Sequence, residues 1–244
     1  MHKRYYAGGV RAREESSGVS KQQPVYRAES FDRMLEYMVE RTRDSISSGE
    51  RKILGMTGPP GSGKSTVCRA LGEVLGARAA IVEMDGFHLA NSELTRLSRR
   101  DRKGAPDTFD VDGYVALLGR LREQDSEVVY APRFDRGSEE SVGSAVPIVR
   151  STALIITEGN YLLCADGGWQ CVRPVLDEVW YLDVAQNILT ERLISRQRRY
   201  GKALADARAW TARVDLPNSN IVAGERDRAD LVFVVPEDSN LYRG

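Results

Sequence analysis

Residues 53–66, ILGMTGPPGSGKST, decide the fold. An apolar run at 53–57 enters a glycine-rich segment, and residues 66–75 are predicted to form a helix. The segment GPPGSGKS at 58–65 fits the pattern G-x-x-x-x-G-K-[ST]. In that pattern the glycines let the backbone curl so that successive N–H groups face phosphate oxygens. We therefore predict a phosphate-binding loop between a strand and a helix.

This loop predicts the residues that bind a nucleoside triphosphate. Lys64 would place a charge beside the β- and γ-phosphates, so Lys64→Ala is expected to abolish turnover. The hydroxyl of Ser65 would join the ligands of Mg²⁺, and the positive end of the following helix would favour the anion. The predicted nucleotide-binding residues of the loop are Gly58, Pro59, Pro60, Gly61, Ser62, Gly63, Lys64, Ser65 and Thr66.

The remaining apolar pattern alternates short runs with helical stretches. Further strands are predicted at 79–84, 153–157, 178–182 and 231–235, and helices at about 30–49 and 111–122. This order is typical of a mainly parallel sheet covered by helices on both faces. The fold class is therefore α/β, a doubly wound P-loop NTPase fold.

A length of 244 residues fits one domain. Residues 1–28 are polar and glycine-rich, which predicts a mobile N-terminal arm, and the kinase-like domain is expected to span 29–244. Within it we expect a substrate insertion at about 87–147 and a lid at about 192–215.

Charge and composition restrict the partners. Lys and Arg number 35, as do Asp and Glu, and no polybasic tract favours a nucleic acid or an anionic membrane. Apolar runs are far below the roughly twenty residues that span a bilayer, and no secretory signal is visible. Cys68, Cys164 and Cys171 form no CxxC pair, which suits a reducing compartment. We expect a cytoplasmic protein with a small-molecule partner; a homodimer is left open.

The segment MDGFHL at 84–89 follows the second predicted strand. It places Asp85 and His88 at a carboxyl end of the sheet, the edge where ligands bind. Asp85 could orient an attacking hydroxyl and accept its proton, and His88 could contact the substrate. The alternative for Asp85 is a helix or turn cap.

Glu158, in LIITEGNYLL at 154–163, follows the third core strand in chain order. From there a carboxylate could reach Mg²⁺ beside Ser65, directly or through water. The alternative is an exposed carboxylate at a strand end. We prefer the metal role.

The segment TERLISRQRRYGK at 190–202 is rich in cations. On a helix they would repel one another unless an anion were bound, so as a group they suggest a lid that closes over the transferring phosphate. The alternative is a solvated helix face. The cations are Arg192, Arg196, Arg198, Arg199 and Lys202, of which Arg192 is assigned to nucleotide binding.

Taken in order, these segments resemble the phosphoribulokinase and uridine kinase superfamily of P-loop kinases, which includes type I pantothenate kinase. The resemblance covers about 53–235. It is carried by GPPGSGKST at 58–66, MDGFHL at 84–89, GAPDTFDVDGY at 104–114, VYAPRFDR at 129–136, ITEGNYLL at 156–163, the Arg-rich lid and NIVAGERDRADLVF at 220–233.

The resemblance implies that ATP, with Mg²⁺, phosphorylates a hydroxyl of a nucleoside, a sugar or a pantothenate-like molecule. Asp85 matches the catalytic aspartate, Glu158 the acidic residue near Mg²⁺, and Arg196 or a neighbouring arginine the lid arginine. The tail matches that of pantothenate kinases, which assigns Arg228 to nucleotide binding.

The segment VYAPRFDR lies where uridine kinases present residues to their nucleoside, and it assigns Tyr130, Phe134 and Arg136 to the substrate. Alternatively, the two aromatic residues are core residues, and Arg133 or Arg136 pairs with Glu139 or Glu140.

Other functional classes were compared with the kinase. A regulatory ATPase or switch would have the same phosphate-binding loop but would not need Asp85 for transfer. A GTPase is disfavoured because the chain contains neither NKxD nor TKxD. A nucleic-acid enzyme would need a continuous basic stripe with stacking aromatic residues.

Overall fold

A parallel sheet of six strands, in the order β1-β8-β7-β2-β6-β3, forms the centre of the computed structural model, which describes residues 23–236. A separate antiparallel hairpin pairs β4 with β5. The strands are β1 Val25–Arg27, β2 Lys52–Thr57, β3 Ala79–Glu83, β4 Val128–Asp135, β5 Glu140–Val149, β6 Leu154–Glu158, β7 Glu178–Asp183 and β8 Leu231–Val234. The helices are α1 Phe31–Ser45, α2 Lys64–Leu75, α3 Asn91–Arg96, α4 Val111–Arg122, α5 Gln186–Arg199, α6 Leu204–Trp210 and α7 Leu216–Gly224, with a π-helical segment Thr211–Asp215 between the last two.

Two apolar layers hold this sheet, one on each face. Met34 and Met38 of α1 pack with Leu71 of α2 against one face, and all three are fully buried. On the other face, Tyr114 of α4 and Trp169 belong to a second buried cluster. Burial on both faces explains why the central strands read as continuous apolar runs. The predicted doubly wound α/β architecture is confirmed.

The strand order places the carboxyl end of β2 in the middle of the sheet. β2 pairs with β6 on one side and with β7 on the other, all in parallel. The connection from β2 runs through α2 to β3, on the far side of β6. Chain connections therefore diverge on either side of β2, which is where open α/β sheets form a ligand-binding crevice.

The middle segment differs from a simple insertion. Its helix α4 is a core element: Tyr114, Leu118 and Leu121 are fully buried against the sheet. The segment also contains a regular hairpin, in which a short turn at 136–139 joins β4 to β5. Only part of 87–147 is therefore free to vary with the substrate.

The ordered domain begins earlier than residue 29. β1 pairs in parallel with β8, and the ring of Tyr26 stacks on that of Tyr37 with centroids 4.1 Å apart. A strand of three residues is too short to give a recognisable pattern in the sequence, and a contact between distant rings leaves no local pattern. The rest of the expected arm, residues 1–22, lies outside the described residues, as do residues 237–244. No helix within 23–236 has the length and apolarity needed to cross a membrane.

Candidate active site

An open cleft of about 1150 Å³ lies over the carboxyl ends of β2, β3 and β6. Four residues that the sequence selected line it together: Lys64, Ser65, Asp85 and Glu158. They come from the ends of three neighbouring strands, because the carboxyl ends of parallel strands meet at one edge. The cleft thus brings the phosphate-binding loop and the predicted acceptor side into one space.

The glycine-rich loop has the backbone geometry of a phosphate cradle. Gly58 and Gly63 have φ values of +145° and +97°, a region that residues with a Cβ rarely adopt. A Cβ at Gly58 would also lie 2.7 Å from the carbonyl oxygen of Leu182 on β7. After Gly63, α2 begins directly at Lys64, so the free N–H groups of its first turn lie at the loop.

Lys64 is a buried cation held by the loop itself. Its Nζ donates hydrogen bonds to the carbonyl oxygens of Gly58 at 2.8 Å and Pro59 at 3.1 Å. Burial lowers the pKa of Lys64 to about 8, although the negative charges of Glu158 and Asp85 oppose this effect. An ammonium group held by neutral carbonyls can exchange them for phosphate oxygens, which would restore its charge balance.

Glu158 and Ser65 form a pair of hard oxygen donors at the start of α2. The hydroxyl of Ser65 donates to the Glu158 carboxylate at 2.5 Å. Burial raises the pKa of Glu158 to about 7, although the positive charge of Lys64 opposes this effect. A buried carboxylate and a hydroxyl suit Mg²⁺, which prefers oxygen ligands and would supply the missing positive charge. The residues present therefore fit the metal that the sequence predicted.

Asp85 lies in a short 3₁₀ turn, Met84–Phe87, directly after β3. Its carboxylate accepts a contact of 3.5 Å from the guanidinium of Arg136, which follows β4. Arg136 therefore pairs with Asp85, whereas Glu139 pairs with Arg100 at 3.0 Å. The hairpin therefore supplies a cation to the predicted catalytic carboxylate.

His88 is clamped between two aromatic rings in the same part of the cleft. Its ring centroid lies 4.1 Å from that of Phe109 and 4.7 Å from that of Phe134. Nδ1 lies 2.8 Å from the carbonyl oxygen of Asp85, and a carbonyl only accepts, so Nδ1 donates. Burial lowers the pKa of His88, which favours the neutral ring with Nε2 as an acceptor.

Two glycines allow the strand ends to approach one another. A Cβ at Gly159, after β6, would lie 2.5 Å from the Cβ of Met84. A Cβ at Gly86 would lie 2.6 Å from the carbonyl oxygen of Pro132 on the hairpin. Close packing, in addition to room for a ligand, therefore explains the glycine in EGN.

The cation-rich segment forms one wall of the cleft. Arg192, Arg196 and Arg199 line it from α5, together with Lys202 in the following loop. Arg192 contacts the Gly61 carbonyl at 3.5 Å.

Asp215, buried at the end of the π-helical segment, holds this wall in place. It accepts contacts of 3.3 Å from both Arg196 and Gln197. Arg196 is thereby positioned at the cleft.

Two predicted site residues lie elsewhere. Tyr130 is 53% exposed on β4 and is not among the residues that line the cleft. Arg228 precedes β8, outside the cleft lining, and pairs with Glu225 at 2.8 Å. Tyr130 and Phe134 would share one face of a regular strand. The register shifts between Ala131 and Arg133, however, and the two side chains lie in different surroundings. The structure thus brings neither Tyr130 nor Arg228 to the candidate site.

Sequence reasoning missed other cleft residues. Lys103 and Phe109 flank or belong to the segment GAPDTFD, which was noted without roles for its members. Asp215, at the end of the expected lid, and Asn218, after it, lack a motif of their own. The cleft-lining residues to which the sequence assigned no individual role include Arg100, Lys103, Phe109, Asn160, Trp210, Asp215 and Asn218.

Two features define the class of P-loop NTPases. One is a phosphate-binding loop after the central strand of a parallel sheet, and the other is an acidic residue at the end of a neighbouring strand. Within that class, the chain belongs to the phosphoribulokinase and uridine kinase family, whose model matches residues 53–241. It is a P-loop kinase of this type.

Individual relatives agree with this assignment. A protein of Schizosaccharomyces pombe, provisionally named a uridine kinase, is 29% identical over 215 residues, which are 84% of this chain and 90% of that protein. A pantothenate kinase of Clavibacter michiganensis is 30% identical over 209 residues, 74% of this chain and 65% of that protein. The crystal structure of a Silicibacter protein, provisionally named a fructose transport system kinase, is 33% identical with a TM-score of 0.75, and the match covers 81% of this chain and 98% of that one.

Proposed function

We propose that the protein transfers the γ-phosphate of ATP, with Mg²⁺, to a hydroxyl of a small metabolite such as a nucleoside, a sugar or a pantothenate-like molecule. One observation supports this most: Asp85 shares the cleft with Lys64 and with the Ser65–Glu158 pair. A protein that only binds or hydrolyses a nucleotide does not need a carboxylate placed for an acceptor.

At the phosphate end, the chain binds and orients. The backbone N–H groups of 58–66 would face the β-phosphate, and Lys64 would exchange the Gly58 and Pro59 carbonyls for phosphate oxygens. Ser65 and Glu158 would hold Mg²⁺, which supplies charge stabilisation for the triphosphate when bound. Arg192 and Arg196 would face the transferring group from the lid side of the cleft.

At the acceptor end, Asp85 orients the nucleophile. The acceptor hydroxyl donates its hydrogen bond to the Asp85 carboxylate, and its oxygen faces the γ-phosphorus in line with the leaving oxygen. As the new O–P bond forms, the bond between the γ-phosphorus and the β–γ bridging oxygen breaks, and ADP leaves with that electron pair. The hydroxyl proton passes late to Asp85, a weak base that suffices because the transition state is loose.

The lid restricts water in this scheme. Asp215 holds Arg196 and Gln197, while Lys202 lies 4.6 Å from the centroid of the Trp210 ring. These contacts tie the end of α5 to the segment that follows it. We propose that the lid spans about 192–215 within a kinase domain at 29–244.

The test is release of ADP by the purified protein with MgATP across sugars, nucleosides, pantothenate and glycerate. Lys64→Ala serves as the blank, and phosphorylated product is identified by mass. One acceptor that raises turnover well above the blank supports the kinase. Uniform silence despite measured ATP binding would contradict it and favour a regulatory ATPase.

A further inference from the structure

The acceptor end of the cleft is more cationic than transfer to a hydroxyl requires. Three of the cations that line the cleft come from the middle segment of the chain: Arg100, Lys103 and Arg136. Arg100 and Lys103 follow α3, and Arg136 follows β4 in the hairpin turn. Lys103 and Arg136 lie near the Phe134 ring, which packs against His88.

Lys103 has only neutral hydrogen-bond partners. Its Nζ donates to Oδ1 of Asn91 at 2.7 Å and to the carbonyl oxygen of Glu139. These two bonds use two of its three N–H donors. The side chain is partly buried, and burial together with the charge of Arg100 lowers the pKa of Lys103. A partly desolvated ammonium that faces a cleft without a bonded carboxylate is a ready site for an anion.

Arg136 lies near the same aromatic ring as Lys103. Its Cζ is 6.0 Å from the centroid of the Phe134 ring, and Nζ of Lys103 is 5.0 Å from the same centroid. The two cations therefore lie within about 11 Å of one another, around a single aromatic ring. Arg136 also contacts Asp85 at 3.5 Å, so one cation lies near both the Phe134 ring and the predicted catalytic carboxylate.

Charges already present only partly balance these cations. Arg100 pairs with Glu139, which is largely exposed, and Arg136 shares Asp85 with the acceptor hydroxyl. The carboxylates of Glu139 and Glu140 raise the pKa of Lys103 through their charge, but neither forms a hydrogen bond with its Nζ. A neutral acceptor would leave Lys103 in this state, whereas an anionic acceptor would complete its coordination.

We propose that the acceptor carries a carboxylate or phosphate group in addition to its reacting hydroxyl, and that Lys103 and Arg136 bind this group. The inference rests on the proposed kinase function and specifies its substrate class: a small hydroxy acid or a sugar phosphate. Neutral sugars and nucleosides are poorer acceptors. The Phe109–His88–Phe134 stack forms the wall along which the carbon chain of the acceptor lies.

The deciding experiment identifies the acceptor without choosing it in advance. The protein is incubated with ¹⁸O-labelled ATP, Mg²⁺ and a complete metabolite extract, and labelled products are identified by mass, with Lys64→Ala as the blank. An acceptor with a carboxylate or phosphate supports the inference, and its structure distinguishes the two groups. A neutral acceptor overturns the inference but leaves the kinase intact; no labelled product, with ATP bound, overturns the kinase itself.

Variants then test Lys103 on the acceptor so identified. Lys103→Met is expected to raise the acceptor KM about 10- to 100-fold, because a charge-assisted hydrogen bond is lost, with the KM for ATP unchanged. Lys103→Arg should recover part of the loss. The matched control, Lys52→Met, alters an ion-paired lysine at the amino end of β2 and should behave as wild type. If Lys103→Met lowers only thermal stability and leaves the acceptor KM unchanged, Lys103 merely fixes the hairpin turn to α3 and the inference fails.

Discussion

The two halves of the cleft are built in different ways. The phosphate half is centred on one continuous segment, 58–66, in which a glycine loop leads directly into α2, and Glu158 and the lid arginines are added to it. The acceptor half is assembled from separate segments: Asp85 and His88 after β3, Lys103 after α3, and Phe134 and Arg136 in the hairpin. Local backbone geometry determines the first half, whereas tertiary packing determines the second.

This difference predicts how each half responds to change. In the phosphate half, Lys64 and Ser65 would each meet the nucleotide or its metal directly, so a single substitution is expected to remove one function. In the acceptor half, residues hold one another, as Phe134 does for His88, Lys103 and Arg136. Changes there are expected to combine effects on substrate binding with effects on stability.

The largest effect is expected at Lys64. Lys64→Ala removes the cation that faces the transferring phosphate, so turnover should fall at least about 10³-fold, the range seen when a positioned transition-state charge is removed. Rates of ADP formation and ATP affinity measure the change, with Lys52→Ala as a control outside the cleft. If Lys64→Ala keeps more than a tenth of the wild-type rate, the assignment of the loop is wrong.

The next effect separates the two halves. Asp85→Asn keeps the size of the side chain but cannot accept a proton, so kcat should fall about 10²- to 10⁴-fold while ATP affinity stays unchanged. Asp44→Asn, an exposed change on α1, is the matched control. Equal kcat values for Asp85→Asn and wild type would remove Asp85 from catalysis and favour a nucleotide switch.

The same difference explains what could be predicted from the sequence. The fold and the centre of the phosphate half follow from local patterns. The apolar runs at 53–57 and 231–235 are each contiguous, and so is the loop that joins the first run to α2. Asp85 and Glu158 follow from their positions after strands. Lys103 has no such signal, because its role depends on Asn91 and Glu139, which are 12 and 36 residues away in the chain.

Errors followed the same division. Arg228 sits in a recognisable tail, yet its side chain pairs with Glu225. Tyr130 belongs to the segment that carries Phe134, but the bulge after Ala131 changes the register between them. Similarly, the pairing of β1 with β8 joins residues more than 200 positions apart, which no local pattern reveals.

A glycine tests the dependence of the acceptor half on packing. Gly86→Ala places a Cβ 2.6 Å from the Pro132 carbonyl oxygen, a backbone atom, so the hairpin must shift. We expect a loss of about 1–3 kcal/mol in the free energy of unfolding and a higher acceptor KM, with a smaller change for ATP. Gly119→Ala, in α4 with open space around it, should instead stabilise by up to about 1 kcal/mol. Equal stabilities of the two variants would show that the hairpin accommodates a Cβ at residue 86, and that the close approach of Gly86 to Pro132 does not limit stability.

The smallest effect is a pH dependence at His88. Burial lowers its pKa in the folded protein, with Lys103 and Arg136 acting in the same direction and Asp85 opposing them. As the pH falls through about 6.5, the unfolded chain therefore binds a proton before the folded chain does, and the proton favours unfolding. The stability that wild type has relative to His88→Gln should be complete above about pH 6.5. Below that pH it should decline by at most about 1.4 kcal/mol per pH unit, the limit for one proton.

Urea unfolding of both proteins between about pH 8 and pH 5 measures this difference. Lys103→Met removes one of the cations that lower the pKa of His88 in the folded protein. The pKa values of the folded and unfolded states then lie closer together, so the total loss of stability at low pH should be smaller than in wild type. Parallel profiles for wild type and His88→Gln would mean that the ring titrates alike in both states. The acceptor half would then be open enough to hydrate His88, and its packing would no longer distinguish it from the phosphate half.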